Sequence, residues 1–416
     1  MYRKNTECRM CGGMRLVKFL DLGEQPFANS FLAEKDLGNE EPTAPLEVYW
    51  CRDCSLAQLL HVVDPEVLFR DYVYFSSGMP KISDHWNQYA AHVMVNFLRD
   101  PKELVVEIGS NDGILLMPFR DKGFRILGID PAENIADIAN GRGILTIPKF
   151  FSSELARMVV RDKGRASAIL ANNVFAHIDD HRDFMRGIDV LLSENGVLVI
   201  EAPYLLDMFK NLAYDTIYHE HLSFLAVRPL IVFFAKFGFE IFDVQLVKAQ
   251  GTSLRLFVGR RGKHEVKPSV FGRVSEELAL HLDQESAYRQ LAARVEKSKM
   301  ALRETLILLK SQGKRIAAYG APAKGNTLLN YCDIGSDVID YALENLPSKQ
   351  GLYTPGMYIP VMSPVQVATK VEPKNPVDYY LLLAWNYREA ILETEKAFIA
   401  RGGKFIVPIG DDIAII

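Results

Sequence analysis

No stretch of this chain is apolar for long enough to cross a bilayer. The longest such runs, 229–235 and 381–385, fall far short of the ~20 residues a spanning helix needs. The opening Met1-Tyr2-Arg3-Lys4-Asn5-Thr6-Glu7 has no apolar core of the secretory-leader kind. Cysteine is scarce: five in 416 residues exclude a disulfide scaffold. Neither sign of charge dominates. Lys and Arg number 48 against 52 Asp and Glu, so no global field draws the chain to nucleic acid or to an anionic membrane. Low-complexity tracts and repeated sequence are also missing. The expectation is a cytoplasmic protein of two or three domains, with neither nucleic acid nor membrane as partner. Nothing in the sequence resolves the oligomeric state, and a monomer is favoured.

Four of the five cysteines form two pairs, Cys8-x-x-Cys11 and Cys51-x-x-Cys54. Each pair can offer two thiolates to one tetrahedral ion, and a hairpin can join the pairs. Gly12-Gly13 follows the first pair, where backbone amides must turn toward the sulfurs. A redox dithiol would need one pair only. The spacing therefore predicts a closed structural zinc site, which folds its segment and does no chemistry. The module lacks a basic cluster for binding nucleic acid. Cys332 stands alone on a helical stretch and reads as a core residue.

The run Val105-Val106-Glu107-Ile108-Gly109-Ser110-Asn111-Asp112-Gly113 reads as a strand entering a turn without large side chains. Such a turn lets a ligand approach the backbone closely. A second strand, 124–129, then ends at Asp130, whose carboxylate can bind a ribose diol. The spacing differs from the dinucleotide fingerprint Gly-x-Gly-x-x-Gly. It matches the S-adenosylmethionine (SAM) site of class I methyltransferases. Gly109 and Gly113 would let the cofactor pass, with Glu107 and Asn111 beside them. Asp130 precedes Pro131, so it also reads as a helix cap. Asn172, past the strand 167–171, falls on a loop that faces the same site.

Strands are expected at 104–108, 125–129, 167–171, 196–201, 239–247 and 252–258, and helices over 83–98 and 272–312. A second alternating pattern starts at Lys314, with strands at 315–320, 338–342, 379–383 and 404–407. The fold class is thus α/β. It comprises a zinc-binding module (1–72), a class I Rossmann-like methyltransferase domain (73–265), and a helical linker with a C-terminal Rossmann-like domain (266–416). In the last, Tyr319-Gly320-Ala321-Pro322-Ala323-Lys324-Gly325-Asn326 follows a strand and opens a helix. Free amides there, with Lys324, suit a diphosphate, although a plain strand–helix loop would also look this way. Lys349 stands in a later turn.

The cluster Tyr218-His219-Glu220-His221 offers a phenol, two imidazoles and a carboxylate within four residues. The spacing His219-x-His221 is not that of a helical zinc protease. A solvated loop is the ordinary reading of such a cluster, but its place beside the SAM turn argues for chemistry.

Taken together, the chain resembles the zinc-containing, SAM-dependent sugar C-methyltransferases of deoxysugar biosynthesis over nearly its whole length. The resemblance rests on the two cysteine pairs, Tyr72-x-Tyr74-x-Ser76-Ser77, Glu107-x-Gly109-Ser110-Asn111-Asp112-Gly113, Tyr218-x-Glu220-His221-x-x-Phe224 and Tyr319-Gly320-Ala321-x-x-Lys324-Gly325-Asn326. It implies Tyr218, Glu220, His221 and His177 at the active site, with His221 as the favoured base. It implies Tyr74 and Ser77 beside the cofactor. It also implies a nucleotide-diphosphate sugar held by Gly320, Ala321, Lys324, Gly325, Asn326 and Lys349. At the last turn family members often carry aspartates where this chain has Lys349. The implied reaction is carbon methylation of a nucleotide-linked 4-keto deoxysugar, enolised before attack at C3. On this view Glu220 sets a histidine tautomer, and Tyr218 or His177 donates to the enolate oxygen. O- or N-methylation of a sugar needs no carbon acid. An inactive SAM- or nucleotide-sugar-binding protein would not need the Glu-His pair. A zinc-ribbon interaction scaffold would not need the SAM turn.

Overall fold

The structure is a computed structural model, and it describes residues 1–70, 82–247, 252–371 and 373–416. Tyr74 and Ser77 lie outside the described residues. Among the described residues, four sheets organise the fold.

The N-terminal module holds β1 (Tyr2–Lys4), β2 (Leu16–Pro26), β3 (Thr43–Cys51), β4 (Ala57–Leu59) and β5 (His61–Val63). Strands β2 and β3 form an antiparallel hairpin in which Leu16 faces Cys51. That register carries the end of one cysteine pair toward the start of the other. Strand β4 continues the sheet, and β1 pairs with β5.

The central sheet contains β6 (Leu104–Ile108), β7 (Arg125–Ile129), β8 (Thr146–Ile147), β9 (Ala166–Asn172) and β10 (Leu192–Pro203). After β11 (Ser223–Phe224), which joins the N-terminal sheet, come β12 (Phe239–Val247) and β13 (Ser253–Arg260). The order is β12-β13-β10-β9-β6-β7-β8, with β13 antiparallel to both neighbours. All five β6 residues are buried, as expected of a parallel strand covered on both faces. Val105, Leu170 and Val199 face Trp86 and Tyr89 on the helix Ile82–Phe97. Ile108, Ile169 and Ile200 face Phe175, Phe184 and Ile188.

Two helices, Pro268–Ala279 and Glu285–Ser311, lead to the C-terminal sheet. Its strands are β14 (Ile316–Tyr319), β15 (Ala342–Leu343), β16 (Val361–Met362), β17 (Tyr379–Leu382), β18 (Lys404–Val407) and β19 (Ala414–Ile415), in the order β16-β15-β14-β17-β18-β19. The strand expected over 338–342 is shorter and later. Val338 and Ile339 are buried, but their amides close a turn onto the Gly335 carbonyl. Only Ala342 and Leu343 pair with both neighbouring strands. An apolar run marked burial there, not a ladder.

Candidate active site

The four sulfurs of Cys8, Cys11, Cys51 and Cys54 all lie within 4.8 Å of one another. The Cys8–Cys54 and Cys11–Cys51 separations are 3.6 Å each. Tetrahedral zinc with Zn–S bonds of ~2.3 Å needs sulfurs about 3.8 Å apart, so the set fits the ion. Gly12 donates its amide to the Cys8 carbonyl and Gly13 donates to Cys11 Sγ at 3.2 Å, the turn a zinc knuckle requires. The second pair closes similarly, with the Ser55 amide on the Cys51 carbonyl.

The turn after β6 is held from two sides. Gly109 has φ +67°, and a Cβ there would sit 2.1 Å from Val174 Cγ2. Asp130 accepts from the Asn111 amide at 2.8 Å and from the Ala132 amide at 3.0 Å. Its carboxylate therefore braces the turn and leads into the helix Glu133–Gly141 without being that helix's cap residue. Asn172 Nδ2 lies 3.4 Å from Glu107 Oε1. Burial raises the Glu107 pKa well above the ordinary carboxylate value, with Asp130 and Asp112 adding repulsion and Asn172 opposing. Among the described residues, Glu107 Oε2, Asn172 Oδ1 and Ser110 Oγ are buried without a partner. Unsatisfied buried acceptors are costly unless a ligand supplies donors. They suit the ammonium and hydroxyl groups of SAM. Glu107, Gly109, Asn111, Gly113, Asp130 and Asn172 thus lie in or against one turn.

The loop with the catalytic candidates is buried. His219, Glu220 and His221 are each at most 9% exposed. Strand β11 stitches the loop to the zinc module through Ser223–Gln58 and Phe224–Ala57 pairs. His221 Nδ1 lies 2.7 Å from the Thr216 carbonyl. A carbonyl only accepts, so this nitrogen carries the proton and Nε2 is left with its lone pair. The rings of Tyr218 and His177 lie 3.9 and 5.0 Å from that of His221. Phe69 stacks on His177. Burial lowers the His221 pKa to about 4, with the Thr216 bond opposing. His177 is pushed well below its usual value by burial and then by His221. His219 faces away, toward the Ala44 carbonyl at 3.0 Å.

Glu220 departs from the expected arrangement. Its Oε1 accepts from Asn29 Nδ2 at 2.6 Å, and the tautomer of His221 is set by Thr216. A backbone carbonyl in the preceding turn reaches Nδ1 where the neighbouring carboxylate points into the zinc module.

In the C-terminal domain Lys324 donates to Asn386 Oδ1 at 2.6 Å and lies 4.0 Å from the Trp385 ring centre. Burial lowers its pKa to about 8, against the pull of Asp215. Gly320 lies in the left-handed region, and Gly325 lets its helix close on Leu383. The Ala321 amide is bound by Glu344 Oε2 at 2.9 Å, so it is not free for a phosphate. Asn326 Nδ2 holds the Ala28 carbonyl, and Lys349 Nζ holds the Ala321 carbonyl. Lys324, unlike Asn326 and Lys349, donates to a side-chain amide and not to a backbone carbonyl.

Family models match three successive parts of the chain. A putative zinc binding domain matches residues 8–69, a methyltransferase domain 83–244, and a C-methyltransferase C-terminal domain 248–410. The C-methyltransferase NovU of Streptomyces niveus is 38% identical over 98% of this chain and 96% of its own length. The chain belongs to the C-methyltransferase family. This C-methyltransferase is accordingly a SAM-dependent enzyme with a zinc-binding module. Among solved structures, magnesium protoporphyrin IX methyltransferase of Synechocystis with bound SAH is 14% identical, covering 43% of this chain and 83% of its own at TM-score 0.34. A SAM-dependent methyltransferase of Anabaena variabilis is 15% identical, covering 47% and 99% at TM-score 0.32.

Several residues around the candidate site of this C-methyltransferase belong to no motif in the sequence. Thr216 acts through its carbonyl, which every residue has. Asn29 is far along the chain from Glu220. Glu201 binds Arg255 at 2.7 Å and His85 Nε2 at 2.9 Å, and Arg255 stacks 3.9 Å over Tyr89. Glu201 and Arg255 sit opposite each other on β10 and β13, so cross-strand charge pairing was the available signal.

Proposed function

We propose that the enzyme methylates C3 of a nucleotide-linked 4-keto deoxysugar through an enolate, with His221 as the base. The observation that carries this reading is the Thr216–His221 bond, which holds Nε2 as a buried acceptor. Bound SAM supplies an electrophilic sulfonium methyl group. His221 Nε2 takes the C3 proton, and the C–H electron pair moves into a C3=C4 double bond as the carbonyl becomes an enolate. Tyr218 or His177 donates toward that oxygen. Glu107, Asn172 and Asp130 would hold SAM with its methyl group in line with C3, which would take the methyl as the carbon–sulfur electron pair returned to sulfur. Glu220 and Asn29 border the sugar. Lys324 binds the diphosphate. The substrate then spans the methyltransferase domain (73–265) and the C-terminal domain (266–416), with the zinc module (1–72) beside the loop.

The test is mass spectrometry in D2O with a panel of nucleotide-linked 4-keto deoxysugars, with and without SAM. A 14-dalton gain (one CH2) on one sugar is expected, with deuterium entering C3 when SAM is absent. Methyl gain without exchange in any condition would point to a heteroatom acceptor and overturn the enolate. The variant His221→Asn should lose the exchange, by about 100-fold or more, while binding SAM normally. Equal loss of SAM binding would remove His221 from the role of base.

A further inference from the structure

The turn Tyr214–Thr216 is where the methyltransferase loop meets the C-terminal sheet. Tyr214 packs against Tyr331, and its hydroxyl lies 3.7 Å from Cys332 Sγ on the helix Ala323–Cys332. The next residue, Asp215, is 1% exposed. Its Oδ2 accepts from Trp385 Nε1 at 2.6 Å, and its Oδ1 has no partner among the described residues. Trp385 stands just past β17, beneath the Lys324 ammonium. The residue after Asp215 is Thr216, whose carbonyl holds His221 Nδ1 at 2.7 Å. One peptide unit therefore separates a carboxylate held by the C-terminal sheet from the carbonyl that fixes the base.

A buried carboxylate is an expensive way to hold a turn, and here the Lys324 charge, the Trp385 indole and backbone amides of the turn offset its burial. Its value here is direction. A neutral imidazole exchanges freely between its two N–H forms, and only the Nδ1–H form leaves Nε2 to accept a proton. The Thr216 carbonyl selects that form only while its peptide plane faces the ring. Within the turn, the Thr216 hydroxyl is turned back to the Ala213 carbonyl at 2.7 Å and does not reach His221. The indole–carboxylate bond reaches the loop from outside it, at the residue before Thr216.

We propose that Asp215, held by Trp385, is the positioning residue through which the C-terminal sheet fixes the reactive tautomer of His221. The proposal rests on His221 being the base. Through the same indole, the site of Lys324 is one side chain away from the base clamp, so the domain that holds the nucleotide end also sets the proton acceptor.

The experiment uses the full-length zinc-loaded enzyme labelled with 15N-histidine. Three readouts are followed: the His221 tautomer by NMR, assigned by its loss in His221→Asn; C3 deuterium exchange of the nucleotide-linked 4-keto sugar; and SAM affinity. Trp385→Phe keeps the ring under Lys324 but removes the N–H donor. It should move His221 from the Nδ1–H form toward a mixture and slow exchange by roughly tenfold or more, with SAM affinity within about twofold. Asp215→Asn keeps an oxygen for the indole and should retain most exchange. Asp215→Ala should lose it as Trp385→Phe does. An unchanged tautomer and exchange rate in Trp385→Phe or in Asp215→Ala would overturn the proposal. Should Trp385→Phe fail to fold, the contrast between the two Asp215 variants decides alone, and equal rates in both sink the idea. Undiminished exchange in His221→Asn would instead overturn the reading of His221 as the base.

Discussion

At Gly109 two penalties meet: a left-handed backbone and a side-chain position already occupied by Val174. Gly109→Ala should destabilise the fold by roughly 1–3 kcal/mol and weaken SAM binding. Denaturant unfolding and SAM titration check both. Adding Val174→Ala should restore the part due to the clash and leave the backbone part. Full recovery in the double variant would show that the left-handed conformation costs nothing. The need for Gly109 was legible in sequence because a strand running into a small-residue turn has few structural solutions. The role of Thr216 was not. Its contribution is a main-chain oxygen placed by the fold, and the composition of 214–221 says nothing of where that oxygen points.

Among the elements, the hairpin of β2 and β3 and the strand β4 act as one unit built on four cysteines. Because β11 adds the loop that carries His221 to this sheet, loss of the ion has consequences beyond the module. Cys51→Ser should lose zinc, loosen residues 1–63, and slow C3 exchange through the loop that holds His221. Zinc content, limited proteolysis and deuterium uptake at C3 measure these. A zinc-free variant with full exchange would show that β11 does not depend on the module. The cysteine pairs announced the site because tetrahedral thiolate ligation needs that spacing. Most strands of the two mixed, mainly parallel sheets were legible from short apolar runs. The exception, 338–342, shows that burial alone does not specify pairing.

For the whole molecule, pH is the informative variable. Burial lowers the pKa of His219 to about 4, below the ~6.5 of an unfolded chain. Below pH ~6.5 the unfolded chain therefore takes up a proton that the folded one refuses until about 4. The stability this neutral side chain contributes is fully present above ~6.5 and is lost as pH falls toward 4. His221 behaves in the same sense. His219→Gln keeps a donor for the Ala44 carbonyl but does not titrate. Its stability should fall less steeply between pH 6.5 and 4.5, by roughly 1.4 kcal/mol per pH unit. Denaturant unfolding of both proteins at several pH values checks this, and parallel curves would refute it.

Length, cysteine spacing, the glycine turn and the alternation of strands and helices were enough to indicate the zinc module, a small-residue turn after a buried strand and two mostly parallel sheets. Each depends on local chemistry: ligand spacing, backbone freedom, hydrophobic period. The assembly of the site depends on contacts between segments far apart in the chain. Asn29 meets Glu220, Trp385 meets Asp215, and β11 meets β4. None of these has a local signature, because a hydrogen bond across the fold is set by how the sheets dock. The same docking turned a loop that reads as solvated into a buried one, and burial is what leaves its histidines neutral. The titratable residue types are written in the chain; their protonation and aim come from the desolvation and orientation that tertiary packing supplies.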